Sequence, residues 1–135
     1  MTFVTESGRF GVALDPSLSP RAVARLLDLA RGGFYAGQVV HRVRPGAAVQ
    51  LGDPVGDGSG GAGRDPVPCE TGPVPVPAYT VGMALAGRDS GSSQLFVTLA
   101  PAPGLAGDYA LVGAADREVE DLVEGERILG VEVRD

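Results

Sequence analysis

The chain carries one histidine, His41, and one cysteine, Cys69, and that scarcity removes several catalytic chemistries at once. With a single imidazole a two-histidine metal site is excluded. With a single thiol, so are an intramolecular disulfide and a cysteine-rich zinc site. A serine nucleophile would have to use His41 as its base, and no Gly-x-Ser-x-Gly elbow occurs. His41 falls inside an apolar strand pattern and reads as a hydrogen-bonded structural side chain. The glycine-rich run 52–63 lacks Gly-Lys-Ser/Thr and contains Asp53 and Asp57, whose charges would repel phosphate. Its spacing does not match an EF-hand calcium loop either. We read it as a loop beside a groove and expect neither a metal nor a cofactor.

Three blocks of sequence carry a more specific signal. The first is Gly33-Phe34-Tyr35-Ala36-Gly37-Gln38-Val39-Val40-His41-Arg42-Val43, continuing through Pro45-Gly46, Gln50 and Gly52-Asp53. The second is Met83-Ala84-Leu85-Ala86-Gly87, followed by Ser93-Gln94-Leu95-Phe96. The third runs from Leu105-Ala106-Gly107-Asp108-Tyr109 to Gly113. Together, in this order and spacing, they resemble the cyclophilin signature: Gly-Phe-Tyr, His-Arg-Val, Gln and Gly-Asp, then Met-Ala-x-Ala-Gly and Ser-Gln-Phe-Phe, then Leu-Asp-Gly-x-His/Tyr. One block would be weak, but three in order are strong. Because the first strand and the Ser19-Pro20 helix also fall in register, the resemblance covers essentially the whole chain.

The resemblance implies a mainly β fold, a closed eight-stranded antiparallel barrel capped by two α-helices, with a peptide groove on the outer face. It also implies cis–trans isomerisation of X-Pro bonds in proline-containing peptides or unfolded protein segments. Arg42 matches the family's catalytic arginine. Gln50, Gln94, Phe96, Leu105 and Tyr109 match substrate-contacting positions, Ala84, Leu85 and Ala86 the segment that holds the peptide backbone, and Gly58 the groove-side loop glycine. Ala47 and Ala48 stand where the family carries two bulky apolar residues of the proline pocket.

This residue set suits the reaction. Resonance gives the X-Pro bond a rotation barrier of roughly 20 kcal/mol. Rotation breaks the conjugation and returns lone-pair density to the prolyl nitrogen. A guanidinium can donate to that pyramidal nitrogen in a way it cannot to a planar amide, so the bond exists mainly in the transition state. Arginine stays charged and holds its donors in a rigid fork. The rest is positioning, by an apolar pocket for the ring and hydrogen bonds that hold one side of the peptide.

The departures bear on strength. Burying a large apolar side chain is worth roughly 1.5–3 kcal/mol, so losing two at 47 and 48 weakens substrate binding by tenfold to a thousandfold or more. Gly104 stands where Trp or His is common, Ala106 replaces Asp, Leu51 replaces Gly, and Leu95 and Val112 replace phenylalanines. Two readings compete: an isomerase with an enlarged pocket and reduced activity, or a weak or inactive peptide-binding relative. Retention of Arg42, Gln50, Gln94 and Phe96 together favours the first.

The elements that must position these residues are short. Of 135 residues, 21 are glycine and 11 proline, which favours turns and strands over long helices. Strands are expected at 2–5, 9–14, 39–43, 47–51, 80–84, 95–99, 109–114 and 128–133. Ser19-Pro20 opens a helix of about 12 residues, with Val23, Leu26, Leu27 and Ala30 at helical spacing and Gly32-Gly33 ending it. A short acidic helix is expected at 118–124. The five prolines between Pro66 and Pro77 make that stretch extended or irregular. At this length one domain, 1–135, is expected. A net charge of -6 disfavours nucleic acid. No apolar run approaches a membrane span, and the first residues lack a basic segment followed by an apolar one. The chain is accordingly read as cytoplasmic, a monomer with no membrane partner, or as one domain of something larger.

Overall fold

The computed structural model describes residues 1–56, 75–84, 93–103 and 109–134. Eight strands and one α-helix occupy them: β1 (Thr2–Thr5), β2 (Gly8–Leu14), α1 (Pro20–Arg31), β3 (Arg42–Arg44), β4 (Ala48–Leu51), β5 (Thr80–Ala84), β6 (Leu95–Thr98), β7 (Tyr109–Ala115) and β8 (Ile128–Glu132). They form one antiparallel sheet in the order β3-β4-β6-β5-β7-β2-β1-β8.

Eight flat strands would span roughly 34 Å, at about 4.8 Å between neighbours. Yet the residues just before the two outermost strands meet in an isolated bridge, Val39 opposite Arg127. The sheet therefore curls until its edges approach. At the seam, Gly37 and Val40 donate to the carbonyls of Ile128 and Glu126, while Gly125 and Ile128 donate to those of Val40 and Gln38. The expected barrel is met as far as this curl; among the described residues these bonds and one bridge stand where a closed barrel would carry a ladder. The strand expected over 39–43 is likewise split, with only Arg42–Arg44 continuous.

Period-two alternation assigns the inner face. Phe3, Phe10, Val12, Val49, Leu51, Val81, Met83, Leu95, Val97 and Ile128 are all buried in one cluster. Helix α1 begins where expected, with Ser19 at the N-cap position and Pro20 first in the helix, and ends at Gly32, although the Ser19 side chain makes no capping bond. Its buried residues Ala22, Val23, Leu26, Leu29 and Ala30 form one stripe, packed towards β7 and β8.

The second α-helix is a correction. Residues Arg117–Asp121 form a 3-10 helix instead. Asp116, at its N-cap, makes no side-chain capping bond; its carboxylate accepts the N–H of Gly11 in β2 at 2.8 Å. By Leu122 the backbone is already extended, so the helical run is limited to these five residues.

Glu126 fixes the next turn. Its carboxylate accepts the Ser7 N–H at 3.0 Å, the Ser7 hydroxyl at 2.7 Å, and the Val123 N–H. Burial alone would push this carboxyl up, but the bonds from Val123 and Ser7 outweigh it and hold the group below the usual carboxylate range. A lowered folded-state pKa contributes stability that is complete above the ordinary carboxylate value and is lost as pH falls through the folded one. Glu126→Gln is therefore expected to be less stable at neutral pH by roughly 1–3 kcal/mol. The gap to wild type should narrow on acidification, as urea midpoints at pH 7 and pH 3 will report.

Candidate functional site

The register brings three of the expected site residues, Arg42, Gln50 and Phe96, into one cross-strand row. Arg42 in β3 pairs with Gln50 in β4, Gln50 with Phe96 in β6, Phe96 with Gly82 in β5, and Gly82 with Leu111 in β7. Directly opposed residues of antiparallel strands project to the same face. The adjacent row, Val43, Val49, Val97 and Val81, packs with the inner core, so the Arg42 row lies on the outer wall. Two strand spacings separate Arg42 from Phe96, about 10 Å between backbones. That is a span a short extended peptide can bridge.

Type and exposure grade smoothly along the row. Arg42 is exposed, Gln50 is half-buried, and Phe96 is buried with Val76 and Leu111 in a small apolar cluster apart from the main core. Val76 is held over this face by its neighbour: the Pro77 carbonyl accepts the hydroxyls of Thr80 and Thr98, at 2.7 and 2.8 Å. The Phe96 ring lies so close over Gly82 that a Cβ there would come within 2.3 Å of its Cε1 atom. Past Leu111 the wall opens into an apolar cleft that also involves Leu14, Leu18, Pro75 and Pro77.

The remaining candidates divide by position. Ala48 pairs with Thr98 two residues from Gln50 and shares the outer face, half-buried; Ala47 is exposed in the preceding turn. That turn has proline second and glycine third, with Gly46 at φ 73° and the Arg44 carbonyl accepting the Ala47 N–H at 2.9 Å. Gln94, buried, sits two residues before Phe96. Ala84 pairs with Tyr109, two residues along from Gly82 on β5 and from Leu111 on β7, so both hold register positions on the same wall. Gly58, Leu85, Ala86 and Leu105 lie outside the described residues, as do Asp57 and Cys69. His41 is half-buried beside Arg42.

A buried polar node supports the row from within. The Tyr35 hydroxyl donates to the Ser93 carbonyl at 3.0 Å, and the Ser93 hydroxyl donates to the Gly52 carbonyl at 2.8 Å. Burial pushes the Tyr35 phenol well up, Arg25 opposing it only in part, so the group stays a neutral donor. Gly52 is at φ 94°, and a Cβ there would come within 2.5 Å of the Ser93 oxygen. The node thus clamps the end of β4 to the start of β6, just past Gln50 and just before Gln94.

Sequence reading missed Gly82 and Leu111. The signal was present in their spacing, since both lie two residues from expected site positions, at 84 and 109.

Comparison with known proteins matches residues 1–126 to the family described as cyclophilin type peptidyl-prolyl cis-trans isomerase/CLD. A peptidyl-prolyl cis-trans isomerase of Synechococcus elongatus is 38% identical over 134 residues, covering 96% of this chain and 92% of its own. Peptidyl-prolyl cis-trans isomerase B of Bacillus subtilis is 39% identical over 121 residues, covering 87% and 84%. Among solved structures, a Cryptosporidium parvum cyclophilin crystallised in the presence of the dipeptide Ala-Pro superposes with a TM-score of 0.85 at 24% identity, covering 99% of this chain and 98% of that one.

The close approach of Phe96 to Gly82 is testable. Gly82→Ala is expected to displace the ring and cost roughly 1–3 kcal/mol by overpacking. Adding Phe96→Leu should recover part of that loss, a non-additivity that a double-mutant cycle of urea midpoints will measure.

Proposed function

The chain belongs to the cyclophilin-type peptidyl-prolyl cis–trans isomerase family, and on that premise we propose that it turns X-Pro bonds on the outer wall of β3, β4 and β6, with Arg42 as the catalytic residue. The observation that carries this reading is the cross-strand row: a guanidinium, an amide and an apolar ring at successive positions of one face.

The chemistry follows from that order. A proline ring seated by Phe96 puts its nitrogen towards Gln50 and Arg42. The carboxamide of Gln50, and that of Gln94 beside Phe96, hold the peptide on one side by hydrogen bonds. As the bond twists, the prolyl nitrogen becomes pyramidal and accepts from Arg42, which lowers the barrier without a covalent intermediate. Backbone contacts at 84–86, the glycine at 58 and apolar walls from Leu105 and Tyr109 complete the groove in this reading. Its substrates are proline-containing peptides or unfolded segments. The seam bonds between 37–40 and 125–128 support taking the curled sheet as a closed barrel whose wall carries the groove. The family match over residues 1–126 supports a single domain.

Ala47 and Ala48 favour a shallow pocket. Both sit at the Arg42 end of the wall, Ala47 exposed and Ala48 only half-buried, so little apolar surface closes over a proline there. This observation keeps the alternative of a weak or inactive peptide-binding module in view, and activity separates the two.

Exchange between cis and trans isomers of a short X-Pro peptide, followed by NMR, is expected to be accelerated by wild type. Arg42→Ala should lower that acceleration by roughly 10²–10³-fold, the usual cost of removing one transition-state donor. No acceleration by wild type at high protein concentration, with peptide still bound, would establish the binding module instead. The double variant Ala47→Phe with Ala48→Met is expected to tighten peptide binding by about tenfold or more, as titration of the same peptide will measure.

A further inference from the structure

We propose that Glu124 is a positioning residue for Arg42, acting through the backbone of β3. The proposal rests on the reading of Arg42 as the catalytic group, and it starts from how β3 is held among the described residues. β3 is three residues long, stands at one end of the sheet, and has Arg42 as its first residue. On one side it pairs with β4. On the other, ladder pairing has given way to the seam.

Two anchors flank Arg42 on the seam side. Before it, Val40 donates to the Glu126 carbonyl at 2.9 Å and accepts from the Gly125 N–H at 2.7 Å. After it, the Val43 N–H donates to Glu124 Oε1 at 2.9 Å. Backbone groups of a regular strand face one neighbour at every second residue. Residues 40 and 43 both face the 124–126 turn, so the alternation slips by one between them, at His41-Arg42. An irregularity of this kind re-aims the side chain it contains. Here it falls on the arginine, and Glu124 fixes its far end.

The turn that carries Glu124 is itself held. Gly125 adopts φ 89°, in the left-handed region, and the Glu126 N–H donates to the Val123 carbonyl at 3.0 Å. This reversal lets Glu124 reach β3 while the Glu126 carboxylate engages Ser7. Neighbouring acidic side chains thus serve opposite ends of the sheet. Glu126 secures the turn to β1 and β2, and Glu124 transmits its position to the strand bearing the guanidinium.

The bond to Val43 is solvent-exposed, so its contribution to stability is small while its effect on geometry is not. Misplacing a catalytic group by an ångström can cost up to about 10²-fold in rate. Glu124→Ala is therefore expected to lower kcat by roughly tenfold, with KM for the peptide and Tm near wild type, and to move the Val43 amide resonance upfield. Glu124→Gln keeps a carbonyl acceptor at the same place and should restore most of the rate and the shift. A wild-type kcat in Glu124→Ala, beside a slowed Arg42→Ala, would overturn the positioning role, as would equal impairment of the alanine and glutamine variants. A wild-type kcat in Arg42→Ala would instead overturn the reading on which the proposal stands.

Discussion

A sheet that curls until its outer strands approach must satisfy backbone groups along a seam where neither edge offers a complete ladder. Every unsatisfied amide there costs free energy, and an exposed edge invites pairing with another chain. In this protein the seam is built from pieces: an isolated bridge at Val39 and Arg127, four backbone bonds, and carboxylates that accept amide protons on either side. Because the segments leading into β3 and β8 meet there, the curl decides where Arg42 stands relative to β4 and β6. The position of the proposed catalytic group is thus a consequence of how the barrel edge is finished.

The wall itself follows from alternation. Valines at 43, 49, 81 and 97 fill the interior, and the residues between them, Arg42, Gln50, Gly82 and Phe96, must then face outwards. An aromatic ring on an outer face is stable only if something covers it. Val76, Leu111 and partly buried Leu18 and Ala102 do so from one side, and the absence of a side chain at Gly82 lets the ring settle onto the sheet. Ring placement and strand register are therefore coupled. A one-residue slip of β6 would exchange Phe96 with core residues and remove the apolar end of the site.

Much of this was legible in the sequence, and the failures are physically specific. Strand positions and the Ser19-Pro20 start of α1 rested on periodicity and end signals, which local residue pattern determines, whereas the grouping of Arg42, Gln50 and Phe96 rested on the resemblance to the cyclophilin signature. The second helix was misread because its acidic residues have helical character, whereas Asp116 is drawn away by Gly11 from across the chain. The break at 39–43 was invisible for a similar reason: Val40 and Val43 are both apolar and β-branched, and their irregular spacing is imposed by the turn at 124–126. Tyr79 gave no signal either. It stands at φ 67°, a conformation that costs a non-glycine residue about 1–3 kcal/mol, held by backbone bonds to Thr98 and Ala115 and a hydroxyl bond to Glu120. Each of these features depends on partners distant in sequence.

The same distinction separates the parts of the site that tolerate change from those that do not. In the proposed mechanism apolar walls would grip the proline ring in the ground state and in the twisted state alike, so small residues at 47 and 48 would weaken binding without singling out the transition state. In the same proposed mechanism the guanidinium of Arg42 acts only as the nitrogen becomes pyramidal, so its placement would bear directly on the barrier. A chain can therefore carry alanines where the pocket is usually bulky and still turn over bound peptide, provided the frame around Arg42 is kept. The polar bonds near that arginine serve this frame: Tyr35 to Ser93 to Gly52 behind β4 and β6, and the 124–126 turn beside β3. In this reading binding strength rests on apolar side chains, and geometry on polar side chains that bond the backbone.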